Sequence, residues 1–502
     1  MTATRWLTAD QLGPHFTDGG PSLLIENAGL LAKRPIHWAK AHLILSAIRH
    51  RVAEANAAGE PLEFVRADSY REVLRPRLAT GERIEIVAGT SFGLRALASE
   101  LQLEVLPSRG FVTSETAFAD WLGERPLKNL KLDDFYRAWR IRSGVLTDGP
   151  TVPLGGQFSY DADNRQPPPR GAATLGLPEP WCPTEDDIDA QVRDDLTRWN
   201  AEGRIRLLGR DGPRRFAATR QEALAALDDF IETRLGDFGP FEDAMLTGDA
   251  VMAHSMLSVP LNLGLLDPRE VIDRVVLEFS AGRAPLASVE GLVRQIAGWR
   301  DWVWHLYWRL GPDYVERSNF LAAYQPLPRE WWELDGSSVA AACLGSTLDK
   351  VGELGWAHHI ERLMVLGNWA LQRGFDPVEL NDWFTNVFVD GTPWVMPANV
   401  IGMSQHADGG LVATKPYAAG GAYISKMSDH CGGCRFNPKI RLGETACPFT
   451  AGYWAFLDRV EPRIRGNHRM GPTLGGLRQL SDRAEVVQQE AHRDSGSAAL
   501  PA

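Results

Sequence analysis

The apolar pattern changes once along this 502-residue chain, and that change restricts the fold more than any single motif. Up to about residue 130, short apolar runs alternate with helical ones. Ser22–Ile25, Leu62–Val65 and Ile84–Val87 read as strands, Ala39–Glu54 and Ser91–Leu101 as helices. Such alternation builds a parallel sheet with helices on its faces. A first strand over Thr4–Ala9 is expected to be short, because few of its apolar residues are consecutive. No GxGxxG follows it, so a dinucleotide fingerprint has no part in the reading. After about Arg220 strand signals nearly vanish and helical spacing takes over, which predicts an all-helical domain. Between the two, Leu146–Pro183 is rich in Gly, Pro and Asp (GGQFSYDADNRQPPPRG), the composition of a connector with defined turns. The expected divisions are an α/β domain over 1–130, a linker of helices and loops over 131–219, a helical domain over 220–480 and a frayed polar tail over 481–502.

A content of 44% hydrophobic and 23% charged residues fits a large folded protein. No stretch approaches the ~20 apolar residues of a membrane-spanning helix. The start, MTATRWLTADQ, has neither the charge nor the apolar run of a signal peptide, so a cytoplasmic location is expected. A net charge of −11 argues against a generic nucleic-acid coat or a basic membrane binder, while leaving room for a local basic groove.

The cysteines narrow the chemistry. Cys431-Gly-Gly-Cys434 places two thiols three positions apart with glycines that permit the turn, and Cys447-Pro448 follows 13 residues on. Cys343 can supply a fourth sulfur from a separate helix. Four thiolates suit either zinc or an iron–sulfur cube, and spacing leaves both open. Cys182 stands apart in a Pro-rich loop as an ordinary cysteine.

Two helical segments could hold a flat ligand. In Val289–Leu310, Leu292, Ile296, Trp299, Val303, Leu306 and Leu310 form a core stripe. Gly291, Arg294, Gln295, Gly298, Trp302 and His305 fall on a neighbouring face, where the glycines admit either another helix or a ligand. Upstream, the hydroxyls of His254-Ser255-Met256-Leu257-Ser258 can cap a helix or bind a phosphate.

These residues carry a family resemblance. HSMLSVPLNLGLL resembles the diphosphate-binding segment of the photolyase/cryptochrome superfamily, and VEGLVRQIAGWRDW its flavin helix. Asp10-Gln11-Leu12, GGQFSYDADNRQP, LGPDY, AHHIERLMVLGN, NVIGMSQHADGG, ATKPYA and the cysteine set make the chain similar to the iron–sulfur bacterial cryptochromes and photolyases, the prokaryotic (6-4) photolyase branch. The matches run from residue 10 to residue 448. The resemblance implies a Rossmann-like α/β antenna domain, a long linker and an all-α FAD domain. It also implies a [4Fe-4S] cluster on Cys343, Cys431, Cys434 and Cys447. By motif position, Ser255, Leu257 and Ser258 would contact the FAD diphosphate. Gln295 and Arg300 would line the flavin pocket, Asp390 and Asn399 would lie near the ring, and Met396 near its reactive edge. His358 and His359 would face the lesion in UV-damaged DNA, one of them touching it, since neighbours on a helix diverge by about 100°. Met403 and Tyr417 would complete that cavity and Lys415 would meet a phosphate. Trp383 and Trp332 would relay electrons from the surface, with Phe384 where a second oxidisable ring could stand. Glu26 matches a strand-end carboxylate that would contact an antenna, 6,7-dimethyl-8-ribityllumazine, beside His37, Trp38 and Lys40.

The activity implied is light-driven repair of (6-4) pyrimidine photoproducts by a monomer, through an electron from excited reduced FAD and a proton from histidine, whose ordinary pKa is about 6.5. A cryptochrome-type photoreceptor with the same cofactors is the alternative. A third reading, an iron–sulfur nucleic-acid-binding protein akin to the primase large subunit, would not need the flavin motifs.

Overall fold

The computed structural model describes residues 3–500. Five parallel strands form one sheet in the order Leu62–Ala67, Ser22–Asn27, Thr4–Leu7, Ile84–Val87, Glu104–Leu106. The short first strand lies at its centre. Trp6 is in register with Leu23 on one side and Ile86 on the other. Side chains alternate faces along a strand, so Leu7, Leu24 and Val87 pack with Leu43 and Ala47 of the helix Trp38–Ala58. Trp6, Leu23, Ile25, Ile84 and Ile86 pack with Leu74 and Leu97, from the helices Tyr70–Ala79 and Phe92–Glu100 on the opposite face. Ser69, Ser91 and Ser114 each accept a backbone N–H at a helix start, which fixes where the chain turns off the sheet.

The connector makes short turns through residue 183, then forms the helix Asp187–Ala201, which packs back on Trp38–Ala58 through Val192, Leu196, Ala41 and Leu45. Buried Arg214 binds Asp189 at 3.0 Å and Glu222 at 2.7 Å, tying that helix to the first one of the helical region. From Arg220 onward the regular elements are helices. Three of them carry π-helical segments: Arg294–Arg300, Glu361–Gly367 and Ala398–Ser404. Such widened turns recur at functional sites, and all three fall in motifs quoted above.

The α/β and helical parts meet along the helix Asp301–Leu310. Thr113 and Val112 donate backbone N–H groups to Asp301 at 2.6 and 3.4 Å, and Arg300 Nη1 donates to the Gly110 carbonyl at 2.7 Å. Burial raises the Asp301 carboxyl to about 7 against these stabilising contacts. The glycines of the preceding segment serve packing rather than a ligand. A Cβ on Gly298 would lie 3.5 Å from the Tyr136 ring, and one on Gly291 3.0 Å from Asn164 Nδ2.

The expectation of a frayed tail is overturned. Arg483–Ala491 is a helix, and Glu490, buried on the protein, binds Arg373 at 2.7 Å and Arg493 at 2.8 Å. Trp369 Nε1 donates to the Ser495 carbonyl at 2.9 Å, and the Ala340 N–H to that of Ser497 at 2.7 Å. The charges that read as solvated neutralise one another inside. Pro501 and Ala502 lie outside the described residues. Among the described residues no helix is long and apolar enough to cross a membrane.

Candidate functional site

The phosphate-type segment begins with backbone in an unusual conformation. Met252 and Met256 have φ of 54° and 56°, a region that disfavours side chains and that persists where surroundings impose it. The loop lets Ser255 Oγ accept the Leu257 N–H at 3.4 Å and starts the short helix Ser258–Asn262. Ser258 Oγ donates to Asp390 Oδ2 at 2.9 Å, and Asn262 Nδ2 to the Asp390 carbonyl at 3.2 Å. Arg362 closes the group, its Nη1 and Nη2 reaching Asp390 Oδ1 and Oδ2 at 2.7 and 3.2 Å. This two-pronged pairing is the strong form of a charged hydrogen bond. The structure thus brings Ser258 and Asp390 together and adds Arg362 and Asn262, which sequence reasoning missed.

The other residues expected at the flavin lie in the helical part. Arg300 is held by the Gly110 and Leu261 carbonyls and lies 4.4 Å from the Phe111 ring centroid. Its Nε is buried without a partner, and burial lowers its pKa to about 10. Gln295 is half-buried in the same π-helical segment. Asn399 Nδ2 donates to the Val395 carbonyl of its own helix at 2.8 Å, and Met396 is buried in the core that contains Trp383.

The adjacent histidines part company. His358 is buried, with neither ring nitrogen partnered, and its ring stacks on that of His254 at 4.6 Å and 17°. His359 is half-exposed, and its Nε2 lies 3.4 Å from Asp243 Oδ1. Burial works against the Asp243 carboxylate, but the His359 hydrogen bond and neighbouring positive charge outweigh it and hold its pKa below the ordinary value. Glu242, beside them, is pushed up to about 7 by burial. Arg165 lies 4.0 Å from Asp243, and Tyr417 is exposed. Met403 is half-buried in its π-helical segment and Lys415 is exposed. His359 is therefore the member of the pair that faces outward, and His358 lies behind it. His254 is a further histidine of this group that the sequence did not single out.

Trp383 is fully buried, donates from Nε1 to the Trp331 carbonyl at 2.9 Å, and its ring lies 4.9 Å from that of Trp331. Trp332, the residue expected there, instead donates to Glu379 Oε1 at 3.3 Å on the outer side.

The four cysteines converge on one cavity, lined also by Ile424, Phe436, Phe449 and His430. Burial raises Cys343 well above the ordinary thiol pKa, and Cys447, Cys431 and Cys434 add to it. Cys431 is pushed up to about 11 by burial and by Cys447. Sulfurs that oppose one another's ionisation in an apolar cavity become thiolates readily only around a cationic centre. Among the described residues, the ligand atoms drawn within 4.8 Å of one another are those of His254, His358 and His359 and of His50, Asp186 and Asp189, and the sulfurs are spread wider. Asp186 caps a helix and Asp189 binds Arg214, which accounts for the second group.

Glu26 is buried and paired with arginines. Both its oxygens are occupied, by Arg49 at 2.8 and 2.9 Å and by Arg66 at 2.9 Å, in a network closed by Asp195. Lys40 points to the Thr385 and Gly391 carbonyls of the helical part, and His37 Nε2 lies 3.2 Å from the Gly352 carbonyl.

The family described as "Deoxyribodipyrimidine photo-lyase-related protein" matches residues 5–204. A (6-4) photolyase of Agrobacterium fabrum (strain C58) is 37% identical over 464 residues, 89% of this chain and 88% of that protein. A bacterial class III photolyase from Agrobacterium tumefaciens superposes with a TM-score of 0.57 at 16% identity, over 93% of this chain and 98% of that one. The cryptochrome of Synechocystis sp. PCC6803 does so with a TM-score of 0.53 at 12% identity, over 92% and 89%. At those identities the two structures speak to the fold alone.

Proposed function

The chain belongs to the (6-4) photolyase family, and from that premise we propose that it is a light-driven lyase that returns (6-4) pyrimidine photoproducts in DNA to intact bases. The observation that carries the reading is the half-exposed His359 held against Asp243, with the Ser258–Asp390–Arg362 group behind it. An outward-facing imidazole with a carboxylate at its far nitrogen can give a proton and recover it. A lesion has to leave the duplex to reach such a group, and a damaged pair yields more easily than an intact one. Tyr417 and Met403 would flank the extruded base, and Lys415 would take a backbone phosphate. We place the protein in the cytoplasm, acting as a monomer.

The residues present fit FAD. The strained turn at Met256, the hydroxyls of Ser255 and Ser258, the Arg362–Asp390 pair and the unpartnered Nε of Arg300 are polar groups gathered inside the helical part. When bound and reduced, FAD supplies the electron on excitation. Ser255 and Ser258 would hold its diphosphate, while Arg362 and Asp390 would orient the ring and keep water from it. Trp383 and Trp331, both fully buried, would carry electrons through the core toward that site. The cysteine cavity fits a [4Fe-4S] cluster. Four thiols around one apolar cavity, with the resemblance to the iron–sulfur branch, support that centre over zinc. For a lumazine antenna, Glu26 would offer only the acceptor capacity left on Oε2, since Arg49 and Arg66 take the rest.

The test is repair of a (6-4)-containing oligonucleotide by anaerobically reduced protein, in blue light and in darkness. Light-dependent restoration of the bases supports the proposal. Absence of repair by protein with reduced flavin bound overturns it and leaves the photoreceptor reading.

A further inference from the structure

We propose that His254, His358 and His359 form a binding site for a borderline divalent cation of the zinc class, separate from the four-cysteine cavity. One ring nitrogen from each lies within 4.8 Å of the other two. His254 Nδ1 lies 3.0 Å from the Val251 carbonyl, which favours the proton there and a lone pair at Nε2, while the Glu242 backbone also acts on the ring. That Nε2 is buried with no hydrogen-bond partner. A backbone carbonyl that fixes the far nitrogen is the usual outer support of a metal-bound imidazole. His358 stacks on this ring with both nitrogens unpartnered, and His359 Nε2 lies 3.4 Å from Asp243 Oδ1.

Packing alone is a poor account of the group. Buried polar atoms are nearly always paired, and leaving three imidazole nitrogens bare is costly. Glu361 Oε2, also unpartnered, lies 3.6 Å from His358 Nε2 and supplies negative charge beside the ligands. Three imidazoles select zinc or its neighbours over magnesium and calcium, which require oxygen cages. Three protein ligands also leave a fourth position open.

Occupancy would withdraw His359 from the lesion, so the cation acts as a reversible off-switch. This consequence rests on the photolyase reading, whereas the binding does not. The experiment uses full-length protein carrying flavin and cluster, titrated with zinc chloride by calorimetry and with cobalt(II) as the spectroscopic probe. Wild-type protein should take up one ion per chain without a thiolate charge-transfer band. His254→Gln and the more exposed His359→Gln should each weaken binding at least about tenfold. Equal affinity in wild type and both variants, or a thiolate band, overturns the site. Repair measured on the same samples should stop on zinc addition and return with chelator. Repair that continues at saturating zinc overturns the switch. Histidine-dependent binding by protein that repairs nothing before zinc is added upholds the site and overturns the photolyase reading.

Discussion

Substituting the two adjacent histidines one at a time should separate catalysis from packing. The side chain of His359 is 52% exposed, with Asp243 at 3.4 Å. Its replacement by alanine removes little buried surface and one partner of the buried Asp243, which keeps Arg165 at 4.0 Å, so stability should fall by about 1 kcal/mol. A proton donor, by contrast, typically contributes about 10²–10⁴ in rate, and repair per absorbed photon should fall by that much. His358→Ala has the opposite profile. The ring is 1% exposed and stacked on His254. Truncation of a large core side chain costs about 2–4 kcal/mol, and removing two unpartnered buried nitrogens returns roughly 1 kcal/mol of that. A net loss of about 1–3 kcal/mol is expected, with repair lowered only as far as the neighbouring ring is disturbed. The assay is repair of a (6-4) oligonucleotide by anaerobically reduced protein at a measured light dose, run beside thermal unfolding of the same samples. Wild-type repair by His359→Ala, together with an inactive but fully stable His358→Ala, would refute the assignment of the outward ring.

Three further outcomes are expected. Cys434→Ala removes one of four converging sulfurs and should give poorly soluble protein low in iron; a soluble variant with wild-type iron content would contradict this. Trp331→Phe should slow photoreduction of the flavin, followed by absorbance under blue light with an external thiol donor, as Trp383→Phe does, whereas Trp332→Phe should not; the reverse order would exclude the ring contact at 4.9 Å as the route. Asp301, raised from 3.8 to about 7, should make stability decline as pH rises from about 4 to about 7, because the unfolded chain releases its proton first, and level off above. That gap corresponds to about 4 kcal/mol as an upper bound, and Asp301→Asn should flatten the decline in melting temperature; an unchanged slope would assign it to other groups.

Much of this arrangement could be read from residue order because its signals are local. Alternating strand and helix patterns mark the sheet, and even the central strand at Thr4–Leu7 betrays itself by Trp6 and Leu7 facing opposite ways. The paired cysteines announce a site by spacing, with Cys343 needing only a helix to deliver it. What escaped depends on partners distant in sequence. Arg362 beside Glu361 looks like a solvated helical charge until Asp390, from a later loop, meets it. Trp331 and Trp332 point about 100° apart on a helix, and only the packed neighbours say which one meets Trp383. Glu26 carries the chemistry of a ligand, but Arg49 and Arg66 come from the next helix and strand to occupy it. The closing segment was misread because its charges are paired with each other and with Arg373, which composition cannot show.

That closing segment also bears on how the protein is made. Residues 483–500 leave the ribosome after all four cysteines, yet they anchor Trp369, Arg373 and also Ala340, which lies three positions before Cys343. The α/β part can fold while translation continues, since domains form as units from the N-terminus. The core around the cysteines gains Ala498 and the Arg493–Phe436 contact only when the later segment docks, which leaves an interval in which the thiols are together before that packing is complete. Delivery of a cluster fits that interval. A nonsense mutation near residue 480 would then yield a chain with every ligand in place and no closure, open to oxidation and to proteases.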